Sequence, residues 1–257
     1  MSKGLALVSG GSTGIGRRLA QCAAEDGYDL IILSDDDIIA DQAELTATGV
    51  AIETICIDLS NGTEVETLID RLSRRTPDLL FANAGRGLSH TFIEQEPNDV
   101  RRLLGTNVVE MTMLIHRIAG RMVRRGSGRI LITGSIAGNV PGPGHAVYNA
   151  SKAYVNLLAS GLRDELADTG VTVTCLMPGL TDTEFFRRAG LMDTGLGKSP
   201  KDNPERVARG GYAAMMAGRP QVIPKLKNKA MVAMAHVSPK ALFSKLHKLM
   251  ARPGGGA

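Results

Sequence analysis

Tyr148 and Lys152 stand four residues apart in Tyr148-Asn149-Ala150-Ser151-Lys152, and on an α-helix that spacing puts two side chains on one face. A tyrosine with its ordinary pKa of about 10 is a poor acid or base near neutrality. A cation held beside it favours the phenolate and lowers that value, so such a pair can move a proton. The same spacing also arises where a packed ring lies beside a solvated amine. The pair gains meaning from whatever other groups the chain brings to it.

The first positioning element is at the start of the chain. Leu5-Ala6-Leu7-Val8 is a continuous apolar run, the pattern of a strand buried on both faces. Ser9-Gly10-Gly11-Ser12-Thr13-Gly14-Ile15-Gly16 follows at once, and a helical pattern through Leu19, Ala20 and Ala23 comes next. Strand, glycine-rich turn and helix in that order make a dinucleotide site. Gly10 permits the turn, Gly14 lets the backbone approach a pyrophosphate, and Gly16 allows the helix to pack closely on the strand. The helix start, with Ser12, Thr13 and Ile15 around it, offers N–H groups and a positive dipole end to the anion. A purely structural turn is the alternative.

The glycine spacing is three residues and then one, unlike the G-x-G-x-x-G of the common dinucleotide fingerprint. Together with Tyr148 and Lys152 it resembles the short-chain dehydrogenase/reductase family, and the shared motifs run from residue 5 to about 183. The resemblance implies hydride transfer between a nicotinamide and a carbonyl or alcohol carbon. In that reading Tyr148 is the acid/base and Lys152 lowers its pKa and bonds the nicotinamide ribose. Ser135, thirteen residues before Tyr148 at the end of a strand centred on Ile130-Leu131-Ile132, holds the substrate oxygen. Asn107 bends its helix and supports a water relay to the lysine.

Further cofactor contacts follow the strands. The apolar run Leu30 to Leu33 ends in Ser34-Asp35-Asp36-Asp37. A carboxylate there accepts ribose hydroxyls, whereas a 2′-phosphate would meet negative charge, so NAD is expected over NADP with Asp35 as the selecting residue. A solvated acidic loop, or a cap for a helix near Ile38 to Leu45, is the other reading. The resemblance gives Asp58, with Leu59, to the adenine; a helix cap is the alternative for Asp58. Ala82-Asn83-Ala84-Gly85 resembles the family's N-N-A-G with its first Asn replaced. Asn83 would brace the sheet while Ala84 and Gly85 lie along the ribose. Pro178-Gly179-Leu180-Thr181-Asp182-Thr183 resembles the segment that binds the carboxamide, with Pro178, Gly179, Thr181 and Thr183 in contact. His145, in a loop rich in Pro and Gly, reads as a solvated histidine, with contact to the substrate as the alternative.

The 257 residues suffice for one sizeable domain, and 43% hydrophobic with 22% charged residues is ordinary for a soluble protein. Alternating strands and helices imply an α/β fold, a doubly wound parallel sheet of Rossmann type, as a single domain over 1–257. A barrel also alternates, but its phosphate site follows late strands. Residues 185–204, with Gly190, Gly195 and Gly197, read as a substrate lid. Residues 226–251 read as a basic amphipathic helical extension, followed by a disordered Pro253-Gly254-Gly255-Gly256. From Arg206 onward there are ten Lys or Arg and no acidic residue, so residues 1–205 carry 20 basic against 26 acidic groups. The basic pI is therefore a property of the tail, and no nucleic-acid partner is expected.

Cys22, Cys56 and Cys175 are far apart in apolar settings and read as buried thiols, with no metal site expected. No apolar run approaches the length of a membrane span, so a cytoplasmic protein is the expectation; the resemblance implies a homo-dimer or homo-tetramer, and the apolar tail points to a hydrophobic ketone or secondary alcohol as substrate. Two alternatives are a non-catalytic NAD-binding sensor or scaffold, and a protein held to an anionic membrane surface by the tail.

Overall fold

Each expected apolar run forms a strand. In the computed structural model, which describes residues 2–35, 43–73 and 75–237, these are β1 (Leu5–Ser9), β2 (Asp29–Ser34), β3 (Ile52–Cys56), β4 (Leu79–Ala82), β5 (Gly128–Thr133), β6 (Val171–Leu176) and β7 (Gln221–Val222). They make one sheet in the order β3-β2-β1-β4-β5-β6-β7, with all neighbours parallel. The sheet is open and doubly wound, not a barrel.

The helices are α1 (Gly14–Glu25), α2 (Ala43–Thr46), α3 (Gly62–Arg71), α4 (Pro97–Leu104), α5 (Glu110–Arg125), α6 (Ala146–Glu165), α7 (Phe185–Arg188), α8 (Gly195–Lys198), α9 (Pro204–Met216) and α10 (Leu226–Val237). Successive strand side chains point to opposite faces, and here both sets are covered. Val8, Ile32, Phe81 and Leu131 pack with Leu19 and Ala23 of α1 and Val207 and Met215 of α9. Leu7, Ile31, Leu80 and Ile132 pack with Leu68 of α3, Ile115 of α5 and Val155 of α6 on the other side. Burial of both faces is why these strands read as unbroken apolar runs.

The strand order reverses beside β1, which pairs with β2 on one side and β4 on the other. Ligands of such sheets bind at the carboxyl ends of the strands at that reversal. Asn83 stitches this edge together. Its Nδ2 donates to the Ser9 and Gly10 carbonyls at 3.3 and 3.2 Å, and its Oδ1 accepts the Thr133 hydroxyl at 3.1 Å. The ends of β1, β4 and β5 are thereby tied by one side chain.

Several local expectations change. Asn61, not Asp58, caps α3, by accepting the Thr63 N–H at 3.1 Å; the chain makes a turn at Asp58 first, its carboxylate taking the Ser60 N–H and hydroxyl. Cys56 is exposed, because it ends the edge strand β3. The helix that carries Asn107 is α4 and α5 joined by a π-turn at Gly105–Val109, where the Glu110 N–H reaches back five residues to Gly105. Asn107 lies in that turn. Residues 36–42 lie outside the described residues, as do 238–257; the helix expected near Ile38 and the tail beyond Val237 are therefore described only for Ala43–Thr46 and Leu226–Val237.

Replacing Asn83 by Leu leaves the Ser9 and Gly10 carbonyls and the Thr133 hydroxyl without this partner. Asn83→Leu is expected to lower the free energy of unfolding by about 1–3 kcal/mol. A guanidinium melt checks it, and an unchanged midpoint with an unchanged slope would remove Asn83 from its bracing role.

Candidate active site

A cleft of about 660 Å³ opens along the carboxyl edge of the sheet, lined by the glycine turn, Asp35, Asn83 to Gly85, Ser135, Tyr148, Lys152 and the 178–183 loop. Helix α6 forms one wall of it. Tyr148 and Lys152 lie one turn apart on α6, as their spacing requires. Lys152 is buried at 4% exposure, and its ammonium donates to the Thr133 carbonyl at the end of β5 at 2.8 Å. Gly85 lies against it: a Cβ there would sit 3.3 Å from Nζ and 3.6 Å from the Asn107 Oδ1.

Asn107 is fully buried. Its Oδ1 accepts the Arg86 N–H at 2.7 Å, and its Nδ2 donates to the Arg86 carbonyl at 2.9 Å and to the Ser151 hydroxyl at 3.1 Å. The carboxamide is thus engaged in joining the β4 loop to α6. Ser135 accepts the Ala137 N–H at 3.1 Å and lines the cleft with Tyr148.

The electrostatics run against one expectation. Burial pushes the Tyr148 phenol up to about 12, with the Ser135 hydroxyl opposing the rise, where a fall caused by Lys152 was expected. Burial also pushes the Lys152 ammonium down to about 8. Desolvation sets the direction of both shifts, because burial takes each group out of water. At neutral pH the tyrosine keeps its proton and the lysine its charge.

The glycine turn fits a pyrophosphate. Gly14 has a φ of +56°, open to glycine without strain, and a Cβ there would come within 2.9 Å of the Thr183 methyl. A Cβ on Gly16 would lie 2.1 Å from the Gly10 carbonyl, so α1 can start only without one. The turn therefore presents bare backbone and a helix N-terminus to the cleft, a cradle suited to an anion. Ile57 and Leu59 line the neighbouring wall, and Asp58 between them is 3.7 Å from Arg102.

Asp35 does not face solvent alone. Arg86 pairs with its Oδ2 at 2.6 Å and Arg188 with its Oδ1 at 3.6 Å. Neither arginine was singled out by sequence reasoning; Arg86 directly follows Gly85, the only signal it carried. At the other end of α7, the Phe185 ring lies 5.2 Å from the Tyr148 ring, centroid to centroid. His145 is buried at 4% and lines the cleft at the start of α6, so the solvated reading fails: the Pro-Gly loop folds inward there.

Residues 4–193 match the sequence profile of the short chain dehydrogenase family. The chain belongs to that family. Sulfoacetaldehyde reductase 2 of Chromohalobacter salexigens is 31% identical over 186 residues, which cover 70% of this chain and 74% of that protein. Among solved structures, a short-chain dehydrogenase of Sphingobium yanoikuyae in complex with NADPH is 29% identical, with a TM-score of 0.83 over 93% of this chain and 94% of its own. The bulky-bulky ketone specific alcohol dehydrogenase of Comamonas testosteroni is 26% identical, with a TM-score of 0.78 over 92% and 93%. The departure from the family pattern at Ala82 lies beside the bonding groups of Asn83 and not in them.

The depressed Lys152 has a consequence for stability. Between about 8 and its ordinary 10.5 the unfolded chain holds a proton that the folded chain has released, so stability contributed by this residue rises with pH across that window. Compared with Lys152→Met, the wild-type protein should gain unfolding free energy from pH 8 to 10.5. Chemical melts at four pH values test this, and a parallel pair of curves would place Lys152 at its ordinary value.

Proposed function

We propose that this protein is a nicotinamide-dependent oxidoreductase that interconverts a carbonyl compound and its alcohol. The observation that carries the reading is the meeting of Ser135, Tyr148 and Lys152 at one end of a glycine-cradled cleft. When bound, the nicotinamide supplies or accepts the hydride. Tyr148, which holds its proton at neutral pH, gives it to the carbonyl oxygen in reduction and takes it back in oxidation. Ser135 donates to the same oxygen as charge develops there. Lys152 stabilises the phenolate left behind and bonds the ribose, and Asn107 supports proton return to the lysine.

Gly10, Ser12, Thr13, Gly14, Ile15 and Gly16 take the pyrophosphate, Asp58 and Leu59 the adenine, and Ala84 with Gly85 the nicotinamide ribose. Pro178, Gly179, Thr181 and Thr183 take the carboxamide. Asp35 selects NAD: ribose hydroxyls can donate to its carboxylate, whereas a 2′-phosphate would have to displace the carboxylate from two ion pairs and sit beside its charge. Leu88, Val140, Phe185, Leu191 and Met231 give the substrate end an apolar wall, which fits a hydrophobic ketone or secondary alcohol under the lid 185–204. The Comamonas enzyme named for bulky ketones shares this fold.

Exposed Val109 and Met113 on the α5 side and Tyr154 and Leu157 on α6 form a patch suited to a second copy, a homo-dimer or homo-tetramer. The Thr112 hydroxyl and the Tyr154 phenol, 3.1 Å apart, join the two helices there. The start of the basic extension covers its own domain: Val232 enters the main core, and Asn228 packs against Gly179. Among the described residues no helix is long and apolar enough to cross a membrane. Two buried thiols, Cys22 and Cys175, suit a reducing cytoplasm.

Titration with NADH and NADPH, followed by nicotinamide fluorescence, should favour NADH. Asp35→Ala frees Arg86 and Arg188 for a phosphate and should move the preference toward NADPH by about tenfold or more. Failure of both cofactors to bind would sink the oxidoreductase reading, and an unmoved ratio would remove Asp35 as selector. Leu157→Glu should lower the oligomeric state seen by light scattering; a wild-type monomer would dispose of the interface.

A further inference from the structure

Asn156 lies eight residues after Tyr148 and four after Lys152 on α6, so the three side chains leave one side of the helix. Its carboxamide reaches across to the end of β5. There Oδ1 accepts the Ser135 main-chain N–H at 3.3 Å, and Nδ2 donates to the Ser135 carbonyl at 2.9 Å. One side chain thus holds both main-chain groups of the serine. Gly134 makes the approach possible, since a Cβ there would lie 2.0 Å from the Asn156 Oδ1.

The serine hydroxyl is constrained in turn. It accepts the Ala137 N–H at 3.1 Å, which leaves its own proton for the Tyr148 phenol. Immediately beyond Ser135 the chain makes a single 3-10 turn, Ile136–Asn139, and then a loop containing Pro141 and Pro143. The residues on either side are held toward β6, Gly134 by donating its N–H to the Leu176 carbonyl at 2.8 Å and Ile136 to the Pro178 carbonyl at 3.1 Å. Asn156 ties the main-chain groups of Ser135 itself to the helix that carries the tyrosine.

We propose that Asn156 is a positioning residue that registers the Ser135 hydroxyl against the Tyr148 phenol. The proposal rests on the reading of those two groups as the pair that holds the substrate oxygen. Only a primary amide of this length does both jobs. An Asp in its place keeps the acceptor, loses the donor and sets a negative charge against the Ser135 carbonyl. A Leu has neither polar group at nearly the same size.

The test uses the full chain labelled with 13Cζ-tyrosine, whose four tyrosines give four NMR signals, with that of Tyr148 identified by Tyr148→Phe. Asn156→Leu should shift the Tyr148 signal in the direction that Ser135→Ala does, and adding Asn156→Leu to Ser135→Ala should shift it no further. Asn156→Gln, which keeps a donor and an acceptor, should restore part of the wild-type position. Asn156→Asp carries the same comparison if the Leu variant does not fold. A Tyr148 signal that moves with Ser135→Ala but not with Asn156→Leu overturns the proposal, as do shifts that simply add. No shift with Ser135→Ala overturns it together with the serine–tyrosine pair itself.

A second readout is NADH-dependent reduction of 2,2,2-trifluoroacetophenone, an activated ketone that needs no specific side-chain recognition. Asn156→Leu should lower kcat by about tenfold or more while KM and NADH affinity stay within about twofold. KM and NADH affinity worsening together with kcat would mark a general structural lesion and overturn the positioning role. If the wild-type protein turns over no carbonyl compound, the oxidoreductase reading fails while the NMR comparison still decides the role of Asn156.

Discussion

The site depends on keeping one cation inside the protein. The Lys152 ammonium is nearly out of solvent, and a buried charge is tolerable only with fixed, well-placed acceptors. The Thr133 carbonyl at the end of β5 supplies one. That acceptor is held in turn by the parallel sheet and by Asn83, which binds the Thr133 hydroxyl and the β1 end together. From that bond outward little is free to vary. Helix α6 must cross the β5 end at this height, Tyr148 must stand one turn earlier, and Gly85 lets the β4 loop lie against the ammonium, where a Cβ would sit tightly at 3.3 Å from Nζ.

The same burial explains the direction of the acid/base groups. A phenol and an ammonium side by side would, in water, each favour the charged form of the other. Here burial takes both groups out of water, so the tyrosine rises and the lysine falls. The neutral phenol is the form able to donate a proton to a carbonyl. The Ser135 hydroxyl is the group that moderates the rise, which makes its placement as consequential as the identity of the tyrosine.

The sheet and the main chemical groups were legible in the sequence because their signals are local. A buried parallel strand is an apolar run, a phosphate turn is a set of glycines after it, and Tyr148 with Lys152 is a helical spacing. Asn156, Arg86 and Arg188 carried no such signal. Each acts on a residue distant in the chain: Asn156 on Ser135, Arg86 and Arg188 on Asp35. Periodicity cannot report a contact between elements. His145 and Cys56 failed for a related reason, since burial at a loop end or on the last strand of a sheet is decided by what lies alongside and not by neighbours in sequence.

Helix α7 shows how far such long-range contacts reach. It has only four residues, yet it touches both ends of the cleft. Phe185 at its start lies against the Tyr148 ring, and Arg188 at its end reaches the Asp35 carboxylate. Thr183, two residues before it, packs its methyl group over Gly14 of the glycine turn. A single helical turn is too short to bend internally, so a displacement that opens the Tyr148 end also loosens the Asp35 end. The contacts around Tyr148 and those around Asp35 therefore share one rigid piece. Asp35, proposed above to read a ribose, is also an anchor for the segment that packs against the Tyr148 ring.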